Sequence, residues 1–243
     1  MSGKQDWDDL ANLDPFWFIL SDSAHKNRPW NAEEFFQTGE REIADLMASA
    51  AKLGFPTNRE RALDFGCGVG RTTRALAKYF SHCDGVDVSE IMITKAAELN
   101  NPVQNCSFFV IAEGPPVFSE GYNLIYSRLV FQHLAGRNAI ASSISELFRA
   151  LNRNGLFVFQ IPSFIPIKYR IQPKRRLYHV LRFLGIGSTI LYKRLGLSPV
   201  RMQFIPRDDV IELIHRLGAR LLQTEGYTDP ASIEYVMYYT TKE

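Results

Sequence analysis

A glycine-rich stretch with an acidic residue in front of it has the residue types and spacing of a ligand-binding loop. It runs from Arg61 to Leu76 as RALDFGCGVGRTTRAL, with glycines at 66, 68 and 70. A pyrophosphate-binding Rossmann turn needs G-x-G-x-x-G, but here Arg71 stands where the last glycine should be. Asp64 would repel a phosphate and attract an ammonium group. The loop therefore predicts a cradle for the cationic head of an amino-acid-like ligand.

The segments around this loop alternate between strand and helix patterns. The loop leads into a helix (RTTRALAKYF), a strand ending at Asp87, a second helix (EIMITKAAELN), and strands ending at Glu113 and Ser127. The helix AIASSISELFRALN then precedes the apolar strand LFVFQIP. This order predicts an α/β fold with a doubly wound, mainly parallel sheet. The helix PRDDVIELIHRLGA, capped by Asp208 and ended by Gly218, precedes two runs predicted to form an edge hairpin whose second strand is antiparallel.

Composition is that of one folded domain. The 243 residues are 46% hydrophobic and 22% charged, enough for a single core. We expect one domain over 1–243, with an N-terminal helical cap (1–60), a ligand-binding core (61–162), a basic and aromatic lid insertion (163–205), and a C-terminal helix and hairpin (206–243). The first apolar run, 16–20, is too short for a signal peptide or membrane span, so we expect a soluble, cytoplasmic protein. The three cysteines form no C-x-x-C pair, and no metal site is expected.

Four ordered features resemble the Rossmann-like S-adenosylmethionine-dependent methyltransferases. They are LDFGCGVG, the acid in GVDVS, AEG after the third strand, and YNLIYSRLVFQHL. The resemblance runs from about Glu34 to the C-terminus. It implies a seven-stranded sheet with an antiparallel last strand, S-adenosylmethionine as cofactor and S-adenosylhomocysteine as product.

The resemblance also implies roles for individual residues. Asp64 would receive the amino group of the methionine tail, directly or through water, Asp87 would accept the ribose hydroxyls, and Glu113 would accept the adenine amino group. Val88 and Met92 would form apolar walls. The predicted cofactor set is Gly39, Asp64, Gly66, Cys67, Gly68, Gly70, Asp87, Val88, Met92, Glu113, Gly114 and Ser127.

Structural alternatives exist for several of these residues. The loop could be a tight turn without a ligand, and Asp87 could cap the following helix, although Ser89 could do so instead. Gly39 fits equally a segment that covers the cofactor and an ordinary packing helix. The family more often has Asp at the position of Glu113.

The candidate catalytic residue is His133, just past the fourth strand. Doubly wound sheets bind ligands and carry active-site residues at this end of their strands. Its near-neutral reference pKa suits a general base that removes a hydroxyl proton. The alternative is a histidine that only hydrogen-bonds the backbone, and Tyr126 is the second candidate. The motif [N/D]-P-P-[Y/F] of amine methylation is absent, since residues 127–130 read SRLV.

We therefore expect O-methylation of a small-molecule hydroxyl. N- or C-methylation and a non-catalytic, cofactor-binding partner subunit are the alternatives, and a nicotinamide oxidoreductase is the runner-up class. No DNA partner is expected.

A strongly basic segment lies between Phe164 and Ile205. It contains nine of the 28 Lys and Arg residues and none of the 26 Asp and Glu residues. In RRLYHVLRFLGIG, Leu177, Val180, Leu181 and Leu184 form one helical face. A solvated surface is the simplest interpretation; a carrier protein, an anionic membrane surface and RNA are others. Because aromatic residues interleave with the cations, we favour a lid over an amphiphilic or anionic small molecule.

Overall fold

The computed structural model describes residues 3–20, 30–112 and 121–243. Seven strands lie within these residues: β1 (Arg61–Phe65), β2 (His82–Asp87), β3 (Cys106–Val110), β4 (Tyr122–Ser127), β5 (Leu151–Phe164), β6 (Arg220–Thr228) and β7 (Glu234–Thr241). They form one sheet in the order β3-β2-β1-β4-β5-β7-β6. Strands β1 to β5 pair in parallel, whereas β7 is antiparallel to both β5 and β6. The predicted doubly wound sheet with an antiparallel last strand is confirmed.

Helices cover both faces and the carboxyl edge of this sheet. They are α1 (Gly3–Leu13), α2 (Pro15–Ile19), α3 (Ala32–Leu53), α4 (Arg71–Leu76), α5 (Glu90–Leu99), α6 (Arg137–Ala150), α7 (Ile167–Ile171), α8 (Pro173–Phe183), α9 (Ser188–Lys193) and α10 (Arg207–Arg216). A short 3-10 turn, Phe131–His133, follows β4. Helices α7 to α9 fall within the segment predicted to be an insertion after the fifth strand.

The core has one apolar layer on each side of the sheet. On one side, Ile144 and Leu147 of α6 and Val210 of α10 belong to a buried cluster with Phe157 and Phe159 of β5. On the other side, side chains of α3 and α4 cover β1, β4 and β5. Central strands buried on both faces explain the nearly continuous apolar run LFVFQIP.

Two local details differ from the sequence-based expectations. Strand β3 ends at Val110 rather than Glu113, and residues 113–120 lie outside the described residues. Asp208 does not cap α10: Pro206 holds that position without a side-chain bond, and Asp208 lies in the first turn. The predicted edge hairpin with an antiparallel second strand is confirmed: β6 is the edge strand, and β7 pairs antiparallel with both β6 and β5. Gly218 follows α10 in a left-handed conformation, as predicted for a helix stop.

Gly39 lets helix α3 approach α4 closely. A Cβ atom on Gly39 would lie 2.5 Å from the backbone oxygen of Arg71. A separation this short cannot be relieved by a side-chain movement, because the contacted atom belongs to the backbone. The contact explains this glycine by packing, and the predicted cofactor role of Gly39 gains no support from it.

We predict that Gly39→Ala destabilises the protein by about 1–3 kcal/mol because of this overpacking. The sign is diagnostic, since alanine in a helix interior is otherwise favoured over glycine by about 1 kcal/mol. Denaturant unfolding measures the change. Gly187→Ala is the matched control, because its φ is −64° and no atom lies within 4 Å of the added Cβ. Equal stability of Gly39→Ala and the unmodified protein would contradict the close contact.

Candidate functional site

A cavity of about 740 Å³ opens where the carboxyl ends of β1, β2 and β4 meet. Parallel strands bring these ends to one edge of the sheet, where doubly wound folds bind ligands. The predicted residues that line it are Asp64, Gly66, Cys67, Gly68, Asp87, Val88, Met92, Tyr126 and His133.

The glycine loop presents bare backbone to the cavity. Gly66 and Gly68 have φ values of +79° and +54°, which favour glycine. A Cβ on Gly66 would lie 2.3 Å from Val130 Cγ2, and one on Gly68 would lie 2.6 Å from Ile19 Cδ1. Side chains at these two positions would therefore fill space between the loop and the segments that cover it. The loop is shaped for close approach of a neighbour or ligand.

Asp64 lies beneath the loop at the end of β1. The hydroxyls of Thr72 and Thr73 both donate to Asp64 Oδ2 at 2.7 Å. Burial raises the pKa of Asp64 to about 6, although the two hydroxyl donors oppose this shift. The carboxyl is therefore ionised at neutral pH and would gain from a cationic neighbour.

Asp87 is held by two backbone amides. The N–H of Gly68 donates to Oδ2 at 3.0 Å, and the N–H of Ser89 donates to Oδ1 at 2.9 Å. Burial raises the pKa of Asp87, and these amide donors partly offset the effect. Each oxygen keeps lone-pair capacity for a further donor. Ser89 caps α5 through its own hydroxyl, which accepts from Met92 N at 3.2 Å. Capping α5 therefore does not require the Asp87 side chain.

Glu42 of α3 is the central acid of a buried charge network on the cavity wall. Its Oε1 accepts from Tyr126 Oη at 2.7 Å, and its Oε2 accepts from Arg71 at 2.9 Å and also from Arg128. Burial alone would raise the pKa of Glu42, but the two guanidinium groups outweigh it and the pKa is lowered. The carboxylate thus joins α3, α4, β4 and the segment after β4.

This network limits what Tyr126 can do. Burial, followed by the nearby Glu42 charge, raises the pKa of its phenol well above 10. A phenol that already donates to a carboxylate is a poor proton acceptor. The geometry therefore favours His133 over Tyr126 as the catalytic base, and both roles stay predictions.

His133 has a defined tautomer. Its Nδ1 lies 2.6 Å from the backbone oxygen of Arg201, so Nδ1 must carry the proton and Nε2 the lone pair in the neutral ring. Burial lowers the pKa of His133 to about 4, which keeps the ring neutral at physiological pH. Trp7 of α1 packs edge-on against the ring at 5.2 Å. The imidazole can accept a proton through Nε2.

The far side of the cavity is aromatic and apolar. Tyr227 and Tyr235 stack with ring centroids 5.0 Å apart. Other lining residues there are Leu129, Tyr169, Met202 and Ile233, with Arg128 and Arg201 as the cations. Gln132 is buried, and its Oε1 has no hydrogen-bond partner among the described residues. This half offers apolar surface with a few polar groups.

Three predicted cofactor residues do not line the cavity. Gly70 begins α4 with a φ of +81°, and the Ser127 hydroxyl donates to the Phe65 backbone oxygen at 3.0 Å. Gly39 packs against Arg71 as described above. Glu113 and Gly114 lie outside the described residues. Cys67 lines the cavity, and burial raises its thiol pKa well above the ordinary value, so the thiol is protonated at neutral pH.

Several cavity residues were missed by the sequence analysis: Trp7, Ile19, Glu42, Arg71, Arg128, Gln132 and Arg201. They come from separate segments, and no motif connects them. Arg71 carried one available signal, because a charged residue replaced glycine at the end of the loop.

Two kinds of feature are absent from residues 3–20, 30–112 and 121–243. No helix in them is both long and apolar enough to cross a membrane. In the same ranges, no group of three or more His, Cys, Asp or Glu residues is placed to hold a metal ion.

Glu42→Gln tests the charge network. Because it removes the charge that compensates the buried Arg71, we expect about 3–5 kcal/mol of destabilisation in denaturant unfolding. The exposed Glu98→Gln is the control for removing one carboxylate and is expected within about 0.5 kcal/mol of the unmodified protein. Similar stability of the two variants would contradict the structural importance of the network.

Sequence comparisons show that the chain is similar to known methyltransferases. Residues 63–159 match the family described as "Methyltransferase domain". The chain is 35% identical over 101 residues to malonyl-[acyl-carrier protein] O-methyltransferase of Bacillus cereus, a match covering 41% of this chain and 36% of that protein. It is 26% identical over 154 residues to 2-methyl-6-phytyl-1,4-hydroquinone methyltransferase of Synechocystis, covering 63% of this chain and 47% of that protein. The chain thus spans less than half the length of both relatives.

A solved structure extends the similarity to the whole fold. Magnesium protoporphyrin IX methyltransferase of Synechocystis, determined with bound SAH, matches with a TM-score of 0.63 at 17% identity and with 100% of both chains covered. The chain therefore has the Rossmann-like methyltransferase fold, and its residues 63–159 match the methyltransferase-domain family.

Proposed function

We propose that this protein transfers the methyl group of S-adenosylmethionine to a hydroxyl of an amphiphilic or anionic small molecule. One observation carries the proposal. A single cavity joins the glycine loop and its two acids to His133, whose neutral tautomer leaves Nε2 free to accept a proton. The first group fits a cofactor with an amino-acid head and a ribose, and the second fits proton removal from an acceptor.

The residues of the cofactor half match the chemical groups of S-adenosylmethionine. Asp64 supplies a negative charge for the amino group, directly or through water, and Asp87 has lone pairs for the ribose hydroxyls. Val88, Met92 and Ile111 offer apolar contact for the adenine. S-adenosylmethionine supplies a methyl group that its sulfonium charge already activates. The protein then needs chiefly to align the two reactants.

His133 would handle the proton of the acceptor hydroxyl. As the acceptor oxygen bonds to the methyl carbon and the carbon–sulfur bond breaks, His133 Nε2 takes the hydroxyl proton and later releases it to water. A pKa of about 4 makes the ring a weak base but keeps it unprotonated and ready at neutral pH.

The acceptor half of the cavity indicates the substrate class. Its stacked tyrosines and apolar side chains suit a ring or an acyl chain, while Arg128 and Arg201 suit an anionic group. The Bacillus cereus relative is by name an O-methyltransferase, which supports oxygen as the accepting atom.

The first functional prediction concerns cofactor binding. Titration calorimetry should show heat with S-adenosylmethionine and S-adenosylhomocysteine and none with NAD. Asp87→Asn should weaken binding roughly tenfold or more, since charged hydrogen bonds contribute about 1.5–3 kcal/mol. Glu98→Gln, an exposed change of one charge, should bind like the unmodified protein. If only NAD gave heat, the result would contradict the methyltransferase proposal and favour a nicotinamide oxidoreductase.

The second functional prediction concerns His133. Transfer of labelled methyl groups from S-adenosylmethionine into small-molecule extracts would identify the acceptor. With it, His133→Gln should lower kcat roughly a hundredfold while cofactor affinity stays unchanged. The amide of glutamine can still donate to the Arg201 oxygen, so the local fold is kept. Because the neutral ring is the active form, kcat of the unmodified protein should fall only as the pH approaches about 4.

His215→Gln on the exposed face of α10 is the matched control. If His133→Gln turned over normally, His133 would not be the base, and the protein would act only by aligning the acceptor with the methyl donor. Cofactor binding with no labelled product would favour a non-catalytic partner subunit.

A further inference from the structure

Helix α8 is amphipathic, but its apolar side faces solvent. Leu177, Val180 and Leu184, three and four residues apart, are 48%, 57% and 68% exposed, and Phe183 is 86% exposed. On the opposite side, Tyr178 is only 1% exposed. A surface helix of a globular protein normally turns its apolar stripe toward the core. The orientation of α8 is therefore reversed.

Contacts with α1 and with residues in and after α9 hold α8 in this orientation. The side of α8 that faces the protein carries Arg182, whose Nε lies 3.3 Å from Asp9 Oδ2 of α1. His179 lies on the same side, but its Nε2 is 3.7 Å from Asp6 Oδ2 and forms no hydrogen bond with the described residues. Tyr178 Oη also donates to Asp9 at 3.4 Å. Tyr178 and the partly buried Leu181 also pack against Leu191 and Leu197. Together these contacts hold this side of the helix inward and leave Leu177, Val180, Phe183 and Leu184 uncovered.

The uncovered apolar surface continues onto the neighbouring helices. Ile167 and Ile171 of α7, Ile190 of α9 and Leu195 just after it are all exposed. Exposed cations alternate with them: Lys168, Lys174, Arg176, Lys193 and Arg194. None of these cations forms an ion pair within residues 3–20, 30–112 and 121–243, and the segment 164–205 itself contains no acid. We call these nine side chains, together with Leu177, Val180, Phe183 and Leu184, the apolar–cationic face.

We propose that the apolar–cationic face docks the protein onto an anionic lipid bilayer. Its large apolar side chains can enter the boundary between headgroups and acyl chains, and the cations between them can meet lipid phosphates. A second copy of the chain would place cations opposite cations, which disfavours self-association. A folded acidic partner would have to match apolar side chains on three separate helices, whereas a fluid bilayer adapts to their arrangement.

The apolar–cationic face lies next to segments that line the cavity. Tyr169 of α7 and the segment that follows α9, with Val200, Arg201 and Met202, line the acceptor half of the cavity. Docking would bring that half next to the bilayer, from which an amphiphilic acceptor could enter. This last step rests on the proposed function, while docking itself does not.

Vesicle sedimentation tests the docking directly and needs neither cofactor nor acceptor. The protein should sediment with phosphatidylcholine vesicles that contain phosphatidylglycerol, much less with phosphatidylcholine alone, and less as salt rises. Phe183→Ser with Leu184→Ser should lower the partition coefficient roughly tenfold or more, because two inserted side chains are lost. Lys174→Glu with Arg176→Glu should lower it by a similar factor.

Matched controls separate this face from general surface effects. Phe109→Ser removes an exposed phenyl group on β3, and Arg59→Glu with Arg153→Glu reverses two exposed charges elsewhere. Both controls should bind like the unmodified protein. Arg175 is left intact because its Nε donates to the Pro199 oxygen at 3.0 Å. Unchanged thermal unfolding would show that each variant is folded.

Three results would overturn the proposal. The first is that the protein does not bind anionic vesicles. The second is that the face variants bind vesicles as well as the unmodified protein does. The third is that the unmodified protein binds no vesicles but forms a dimer in sedimentation velocity, and that the face variants, unlike the controls, are monomers. Because calorimetry measures cofactor binding separately, failure of docking and failure of the proposed methyl transfer are distinguishable.

Discussion

The carboxylate of Glu42 is the interaction on which the site depends. It accepts hydrogen bonds from Tyr126, Arg71 and Arg128, and so ties α3 to the glycine loop's helix and to the end of β4. Three charged groups buried together stabilise one another only in a fixed geometry, because any unpaired member would bear a large desolvation cost. The network therefore fixes one wall of the cavity, and the phenol of Tyr126 is already engaged as a hydrogen-bond donor.

Asp64 and Asp87, the acids on the glycine-loop side of the cavity, differ from Glu42 in their hydrogen-bond partners. Asp64 is held by two hydroxyls and Asp87 by two backbone amides, and burial raises the pKa of both. Neither has a guanidinium hydrogen-bonded to it among the described residues, in contrast to Glu42. A buried carboxylate without a cationic partner is stabilised by a positively charged or hydrogen-bond-donating ligand. This difference distinguishes Glu42, whose charge is compensated within the fold, from Asp64 and Asp87, which we propose to bind the cofactor.

Helix α1 connects the glycine-loop side of the cavity with the inward side of helix α8. Its Asp8 accepts from the Ser89 hydroxyl at 2.6 Å, and its Asp9 meets Arg182 of α8. Trp7, on the same helix, packs against His133. A single helix of 11 residues therefore contacts the cofactor side, the proposed base and the basic segment. The net charge of +2 conceals this pairing of an acidic helix with a basic one.

The sequence by itself determined the sheet, the glycine loop and the acids at the ends of β1 and β2, because these follow from local patterns: alternation of strands and helices, glycines at φ-positive positions and polar residues at strand ends. It also placed His133 near the site. It did not reveal Glu42 or Arg128, whose partners lie in distant segments, or the buried Gln132, and it left open whether Gly39 covers the cofactor or serves helix packing. The apolar face of α8 was visible in the sequence, but the direction it faces was not. Periodicity defines which residues share a side of a helix. Which side is turned inward depends on Asp9 of α1 and on the apolar contacts with Leu191 and Leu197, and only the folded chain brings these segments together.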